Sequence, residues 1–171
     1  QNTTGSYNTA HGALALGLST TASYNSAVGY KSGYSTSTGQ FNLSLGSFAL
    51  HSNTTGSQST AVGHTALYSS TATGNANNTA VGFQAAYYNT SGTQNTVLGA
   101  DALLNNTTAS NNTAVGYRSL SLNTTGTTNT AVGMQSLYVN TTGNHTTALG
   151  YNSLRLNTTG ANNVALGNQA L

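Results

Sequence analysis

The sequence has no cysteine and no proline, and among its 171 residues it has three Lys or Arg and one acidic residue. Without cysteine there is no disulfide framework and no thiolate chemistry, and the compartment stays open on that ground. Charged residues make up 2% of the chain, against about 25% in ordinary soluble domains. The cations Lys31, Arg118 and Arg155 are scattered and form no basic stripe, so no nucleic-acid partner is expected. No apolar run is long enough to span a membrane and no signal-type leader pattern occurs, so no membrane insertion of this segment is expected.

Reactive groups are equally scarce. Asp101 is the one carboxylate side chain, which rules out a carboxylate pair within one chain. His11, His51, His64 and His145 fall at four different positions of the repeat described below, and a metal site needs His to converge with carboxylate or Cys partners. Phosphate-cradling Gly-x-Gly-x-x-Gly and Gly-Lys-Ser/Thr loops are missing. A Ser/His/Asp set can be drawn from any chain this rich in Ser, so such a match carries no information. The expectation is a protein that is not an enzyme, with no cofactor and no metal.

What the chain does contain is repetition. It has 31 Thr, 23 Asn, 20 Ser and 20 Gly, together more than half of the residues. Its 36% apolar residues recur at fixed places, and that periodicity argues for order where low charge alone would suggest disorder. Glycines at 12, 29, 46, 63, 82, 99, 116, 133, 150 and 167 mark ten copies. Every interval is 17 residues except the 19 from Gly63 to Gly82. The extra two residues lie between Tyr68 and Asn78 in loop-like composition, where insertions are tolerated.

A clean unit runs from Asn129 through Thr-Ala-Val-Gly-Met-Gln-Ser-Leu-Tyr-Val-Asn-Thr-Thr-Gly-Asn to His145. The residue before the glycine is apolar in all copies but the first, where it is His11. The third residue after the glycine is always Ala or Ser, and the fourth is Leu except at Gly33 and Ala86. A strictly small site implies that another backbone passes close by. Asn-Thr-Ala-Val reads as one short strand, Ser-Leu-x-x as a second, and Asn-Thr-Thr-Gly as the turn. No helical periodicity survives the recurrent Gly and Asn. One unit cannot bury its apolar residues alone, so units must stack, Val over Val and Leu over Leu. At about 4.8 Å per strand, ten coils make a rod roughly 48 Å long.

The expected architecture is therefore all-β: a parallel β-solenoid, or β-roll, of about ten 17-residue coils with two short strands per coil. Residues 1–171 form one uninterrupted array, expected to be a piece of a longer fibre protein. Tyr30, Phe83, Tyr117 and Tyr151 follow the glycine directly, and Tyr34, Tyr68, Tyr87 and Tyr138 lie five after it. These aromatics make stripes outside a single stack and are the candidate inter-chain packing residues. Exposed stripes of that kind mark interfaces, and self-association into a closed homotrimer or a filament is expected.

Twelve Asn-x-Ser/Thr sequons occur, at Asn2, Asn42, Asn53, Asn77, Asn89, Asn105, Asn106, Asn111, Asn123, Asn140, Asn144 and Asn157. They are candidate N-glycosylation sites on exposed turns, although an Asn-Thr-Thr-Gly turn also creates sequons by accident. Glycans would help keep an almost uncharged rod soluble.

The motif Asn-Thr-Ala-Val-Gly-x-x-Ser-Leu resembles the head repeats of trimeric autotransporter adhesins, the YadA-like heads. It is still more similar to the Asn-Thr-Ala-Val-Gly-Tyr-x-x-Leu-x-x-Asn-Thr-Thr-Gly arrays of phage-type tail fibres. The resemblance covers all ten copies. It implies a left-handed β-roll, three chains together, and a role in attachment or fibre building at a cell or virion surface. The unit here is longer than the adhesin-head unit. The expected function is a structural extracellular filament segment. The alternatives are a receptor- or glycan-binding adhesin head or tail fibre, and an ice-binding β-solenoid. The column Thr20, Thr54, Thr71, Thr90, Thr107, Thr124, Thr141 and Thr158 would suit the last, but no regular Thr-x-Thr face is written.

Overall fold

A computed structural model describes residues 2–171. It is an all-β parallel solenoid with one three-residue strand per coil: β1 (Thr9–His11), β2 (Ser26–Val28), β3 (Leu43–Leu45), β4 (Thr60–Val62), β5 (Thr79–Val81), β6 (Thr96–Leu98), β7 (Thr113–Val115), β8 (Thr130–Val132), β9 (Thr147–Leu149) and β10 (Val164–Leu166). They form a single ten-stranded sheet in sequence order. Each residue pairs with its counterpart in the next coil, as Thr113 with Thr130 and Val115 with Val132. Across the insertion Thr60 still pairs with Thr79. The two extra residues bulge outward: Ala72 and Ala76 stay buried while Thr73, Gly74 and Asn75 are exposed. Among the described residues no helix is long and apolar enough to cross a membrane.

The strands are short because the units on either side cannot extend them. The glycine that follows has φ near 130°, as at Gly133 (129°), a region that L side chains rarely adopt. A Cβ at Gly116 would come within 2.7 Å of the Gly133 carbonyl carbon in the next coil. Both torsion and space therefore demand glycine there.

The second strand expected in each coil does not form. The Ser-Leu segment is a run of turns in which the second and fourth residues after the glycine take positive φ, 54° at Gln135 and 51° at Leu137. A side chain in that left-handed region costs about 1–2 kcal/mol. Two gains offset it. Leu50, Leu67, Leu103, Leu120 and Leu137 are fully buried, worth about 1.5–3 kcal/mol each. The Leu amide also donates to the next coil, Leu137 N–H to the Ser153 carbonyl at 3.0 Å. Coil-to-coil bonding thus continues through the turns: Gly133 and Gln135 donate to Val115 and Tyr117 of the preceding coil, and Val139 and Thr141 donate to Arg155 and Thr158 of the following one.

The core also differs from a stack of Val on Leu. In β2 to β10 the middle residue points inward and its neighbours point outward, so Ala61, Ala80, Ala114 and Ala131 are fully buried while Val62, Val81, Val115 and Val132 are only half-buried. The reason is the closeness of the opposite wall. The Ser136 hydroxyl donates to the Ala148 carbonyl at 2.9 Å across the interior, which leaves room for a methyl opposite the Ser-Leu segment. The strictly Ala-or-Ser position does face a passing backbone: Ala66, Ala85, Ser119 and Ser136 have no exposed surface.

The backbone at Leu120 sets up a discriminating substitution. Leu120→Ala is expected to cost about 3 kcal/mol by cavity formation. Leu120→Val should cost at least as much despite its larger side chain, because a β-branched residue is poorly tolerated at positive φ. Urea unfolding of both variants checks the order; a Val variant clearly more stable than the Ala variant would count against the backbone argument.

Candidate interaction surface

Among the described residues there is no cavity and no group of three or more metal-ligating side chains. What the fold offers is columns, each one side chain repeated coil after coil. Two columns lie inside and are made of asparagine. In the first, Asn42, Asn25, Asn95, Asn112 and Asn129 precede the strands; the Asn129 N–H donates to the Asn112 Oδ1 at 2.9 Å and its Nδ2 donates to the Gly143 carbonyl at 2.8 Å. In the second, the amides join head to tail: Asn123 Nδ2 donates to Asn106 Oδ1 at 3.1 Å, and Asn140 Nδ2 to Asn123 Oδ1 at 2.9 Å. Each also donates to the carbonyl three residues on, as Asn123 to Gly126 at 2.9 Å.

This placement corrects the picture of sequons on exposed turns. Asn42, Asn53, Asn89, Asn106, Asn123 and Asn140 are buried, and their Nδ2 atoms donate to carbonyls, as at Asn42 (Gly56), Asn53 (Gly56) and Asn89 (Gly92). Asn157 is half-buried and continues the ladder onto Asn140. Asn2, Asn77 and Asn111 are exposed, and Asn105 and Asn144 are half-exposed. Asn2 holds its own turn through Gly5, and Asn144 accepts from the Thr127 N–H. The Thr column beside the turn is also engaged: the hydroxyls of Thr20, Thr71, Thr90, Thr107, Thr124 and Thr141 donate to carbonyls of the next coil.

The aromatic residues divide into two groups. Tyr34, Tyr68, Tyr87 and Tyr138, five after the glycine, are half-buried. Tyr34, His51, Tyr68 and Tyr87 stack in one ladder with centroids 5.3, 5.0 and 5.0 Å apart, which follows the strand spacing. Burial, and then Tyr68 and Tyr88, push the Tyr87 hydroxyl up from its ordinary value. Tyr30, Phe83, Tyr117 and Tyr151, directly after the glycine, are exposed. The cations lean on rings: the Lys31 Nζ lies 5.3 Å from the Tyr34 centroid, and the Arg118 and Arg155 guanidinium carbons lie 5.0 and 5.4 Å from Tyr117 and Tyr138. Asp101 and Arg118 pair across adjacent coils at 3.3 Å; with the Arg half exposed, such a pair adds little.

Two features escaped the reading of the sequence. Tyr7, Tyr24 and Phe41 form a second stack, with centroids 4.8 and 5.0 Å apart. His51 serves as a rung between tyrosines. The signal for both was in the register, since Tyr24 and Phe41 each lie 17 residues beyond the preceding ring and His51 lies 17 beyond Tyr34. No family model matches the chain, and no curated protein or solved structure matches it.

The inner Asn ladder predicts a large local cost. Asn123→Ala would remove the donor from the buried Asn106 Oδ1, while the Gly126 carbonyl keeps the Asn112 Nδ2 and the Asn140 Nδ2 keeps the Gly143 carbonyl. One buried acceptor left unpaired should cost about 1–3 kcal/mol, read as a drop in the urea midpoint. A change within experimental error would show that the ladder is not held together by these bonds.

His51 predicts a pH dependence. Burial, and then the Lys31 charge, hold its imidazole below the ordinary histidine range. Its neutral form is thus favoured by folding, so its contribution is complete above about pH 6.5 and is lost as the pH falls below that. Thermal melting of the wild type is expected to weaken between about pH 8 and about pH 5. In His51→Tyr, which keeps a ring in the ladder, that weakening should shrink; identical pH profiles would refute the assignment.

Proposed function

We propose that this chain is a rod segment of an extracellular or virion-surface fibre, built from three copies side by side, whose work is mechanical extension and surface attachment. The observation that carries the reading is the uninterrupted ladder: ten strands in one sheet, each paired to the next in the same register. Such a stack is stiff along its axis, because extending it breaks several backbone bonds at every coil junction. Its polar turns face outward, and no cavity among the described residues suggests a small-molecule substrate. The three-copy state is supported by the exposed aromatics after the glycine.

Electron microscopy of the purified chain tests the rod: particles roughly 48 Å long are expected, from ten strands at about 4.8 Å, and compact round particles would defeat the reading. Light scattering tests the copy number, with a mass of three chains expected.

A second reading is a receptor- or glycan-binding adhesin head. The Tyr7, Tyr24 and Phe41 stack supports it, since these exposed rings share one edge of the rod and aromatic rings suit sugar and partner contacts. A glycan array without hits would count against it. The ice-binding alternative has less behind it, because the Thr hydroxyls beside the turn already donate within the ladder; thermal hysteresis would revive it.

A further inference from the structure

The outward face of the sheet is a surface with an unbroken Val or Leu column, from Val28 to Leu166. It consists of the residues one and three before the glycine, together with the exposed residue directly after it. Ten of the eighteen exposed large apolar side chains sit at these three of seventeen repeat positions. Leu45 is 43% exposed, Leu98 50%, Phe83 52% and Tyr117 42%. By comparison, the Tyr7, Tyr24 and Phe41 stack covers three coils, and the Tyr34, His51, Tyr68 and Tyr87 ladder covers four and is half-buried.

We propose that this strand face is where a second copy of the chain docks, and that it, rather than the half-buried tyrosine ladder five residues after the glycine, is the contact between chains. The inference rests on the reading of the chain as a fibre segment that self-associates. Three observations favour a second copy as the occupant.

The first is charge. Lys31, Asp101 and Arg118 all sit two residues after the glycine and Arg155 five after it, so the face's own columns carry no formal charge; at its border Lys31 and Arg118 lie over Tyr30 and Tyr117, with Arg118 paired to Asp101. Two identical copies meeting there set no charged column against another, whereas a strongly charged partner would find few charges to pair with along the face. The second is area. Nine strand steps of about 4.8 Å by four residue steps of about 3.3 Å give a flat footprint of roughly 560 Å² per copy. Doubled to roughly 1,100 Å², this clears the ~1,000 Å² that a specific interface needs. The third is spacing: every copy repeats its columns in the same strand register, so the columns of one rod keep the same axial spacing as those of another along the full length.

The test uses the 171-residue chain and its lack of cysteine. Val115→Lys with Tyr117→Lys puts charge on the face, and Thr125→Lys, on the exposed turn away from the sheet, serves as the control. Light scattering should give the wild type and Thr125→Lys at a multiple of 17.3 kDa and the double variant at that mass, with the wild-type circular dichroism spectrum retained. Single cysteines give a second measurement that leaves folding alone. Under mild oxidation Thr113→Cys should cross-link at least about tenfold faster than Thr125→Cys, because docking holds the sulfurs at high effective concentration. A single-copy wild type, a double variant that stays associated, or equal cross-linking rates would each overturn the proposal. An elongated single-copy rod in images would remove this interface and the three-copy state while leaving the rod reading intact. A compact particle that still cross-links through Cys at 113 would do the reverse.

Discussion

Everything in this molecule depends on one coil lying directly on the next at the spacing of a β ladder. The glycine column is where that requirement is least negotiable. At Gly116 the space that a Cβ would occupy is already filled by the Gly133 backbone, and the torsion there suits no other residue. Once the glycines fix the approach, the neighbouring positions inherit their limits. The strand's inner residue is Ala in most coils, and the facing wall is Ala or Ser in all of them, because two backbones a short distance apart leave space for a methyl or a hydroxyl. A core this thin cannot draw its stability from bulk hydrophobic volume. It relies on the fully buried Leu column and on hydrogen bonds that join each coil to both neighbours.

The asparagine columns answer a different problem. A 17-residue coil must turn sharply more than once, and each sharp turn leaves carbonyls without a partner in the ladder. The buried amides supply that partner. Asn123 donates to the Gly126 carbonyl of its own coil and to the Asn106 side chain of the preceding one, so one side chain both closes a turn and ties it to the stack. Where the position holds Ser19 or Thr36 instead, the buried hydroxyl has no partner. Those coils are the weaker links of the inner ladder, since a buried polar group without a bond costs stability. The dual use also explains why so many sequons are hidden: the Asn-Thr-Thr triplet is written by the needs of the turn.

Most of the architecture was legible in the sequence because stacking makes the chain speak in one period. The ten glycines located the coils, the insertion before β5 was visible as a 19-residue interval, and the Ala-or-Ser restriction announced a passing backbone. Two readings went astray for identifiable reasons. Thr-Ala-Val alternates, but alternation alone does not say which set faces inward. Greater hydrophobicity favoured Val, and the closeness of the opposite wall decided for Ala. The Ser-Leu segment was taken for a strand because nothing in residue type reveals that Leu137 and its equivalents sit at positive φ; only the close packing of successive turns forces them there, and tertiary context overrides local preference. The outer surface was less legible still. His51 as a rung between tyrosines follows from register, not from any property of histidine.

Inverting the strand changes what the repeat is for. With Val inside, the Thr two residues before it would turn inward as well, and the outer surface of the sheet would be the small middle residue, Ala in most coils. With Ala inside, every coil but the first places a Val or Leu on the outside, next to an aromatic or Met in half the copies. Each coil then adds roughly 60 Å² of flat sheet surface per chain with a Val or Leu in it, while the whole array adds almost no charge to keep chains apart. Two or three coils fall far below the area of a specific interface, and ten reach it. Length and association are therefore coupled in this design: the same stacking that makes the rod long also makes its sheet face adhesive, and neither property can be tuned by changing the number of coils without moving the other.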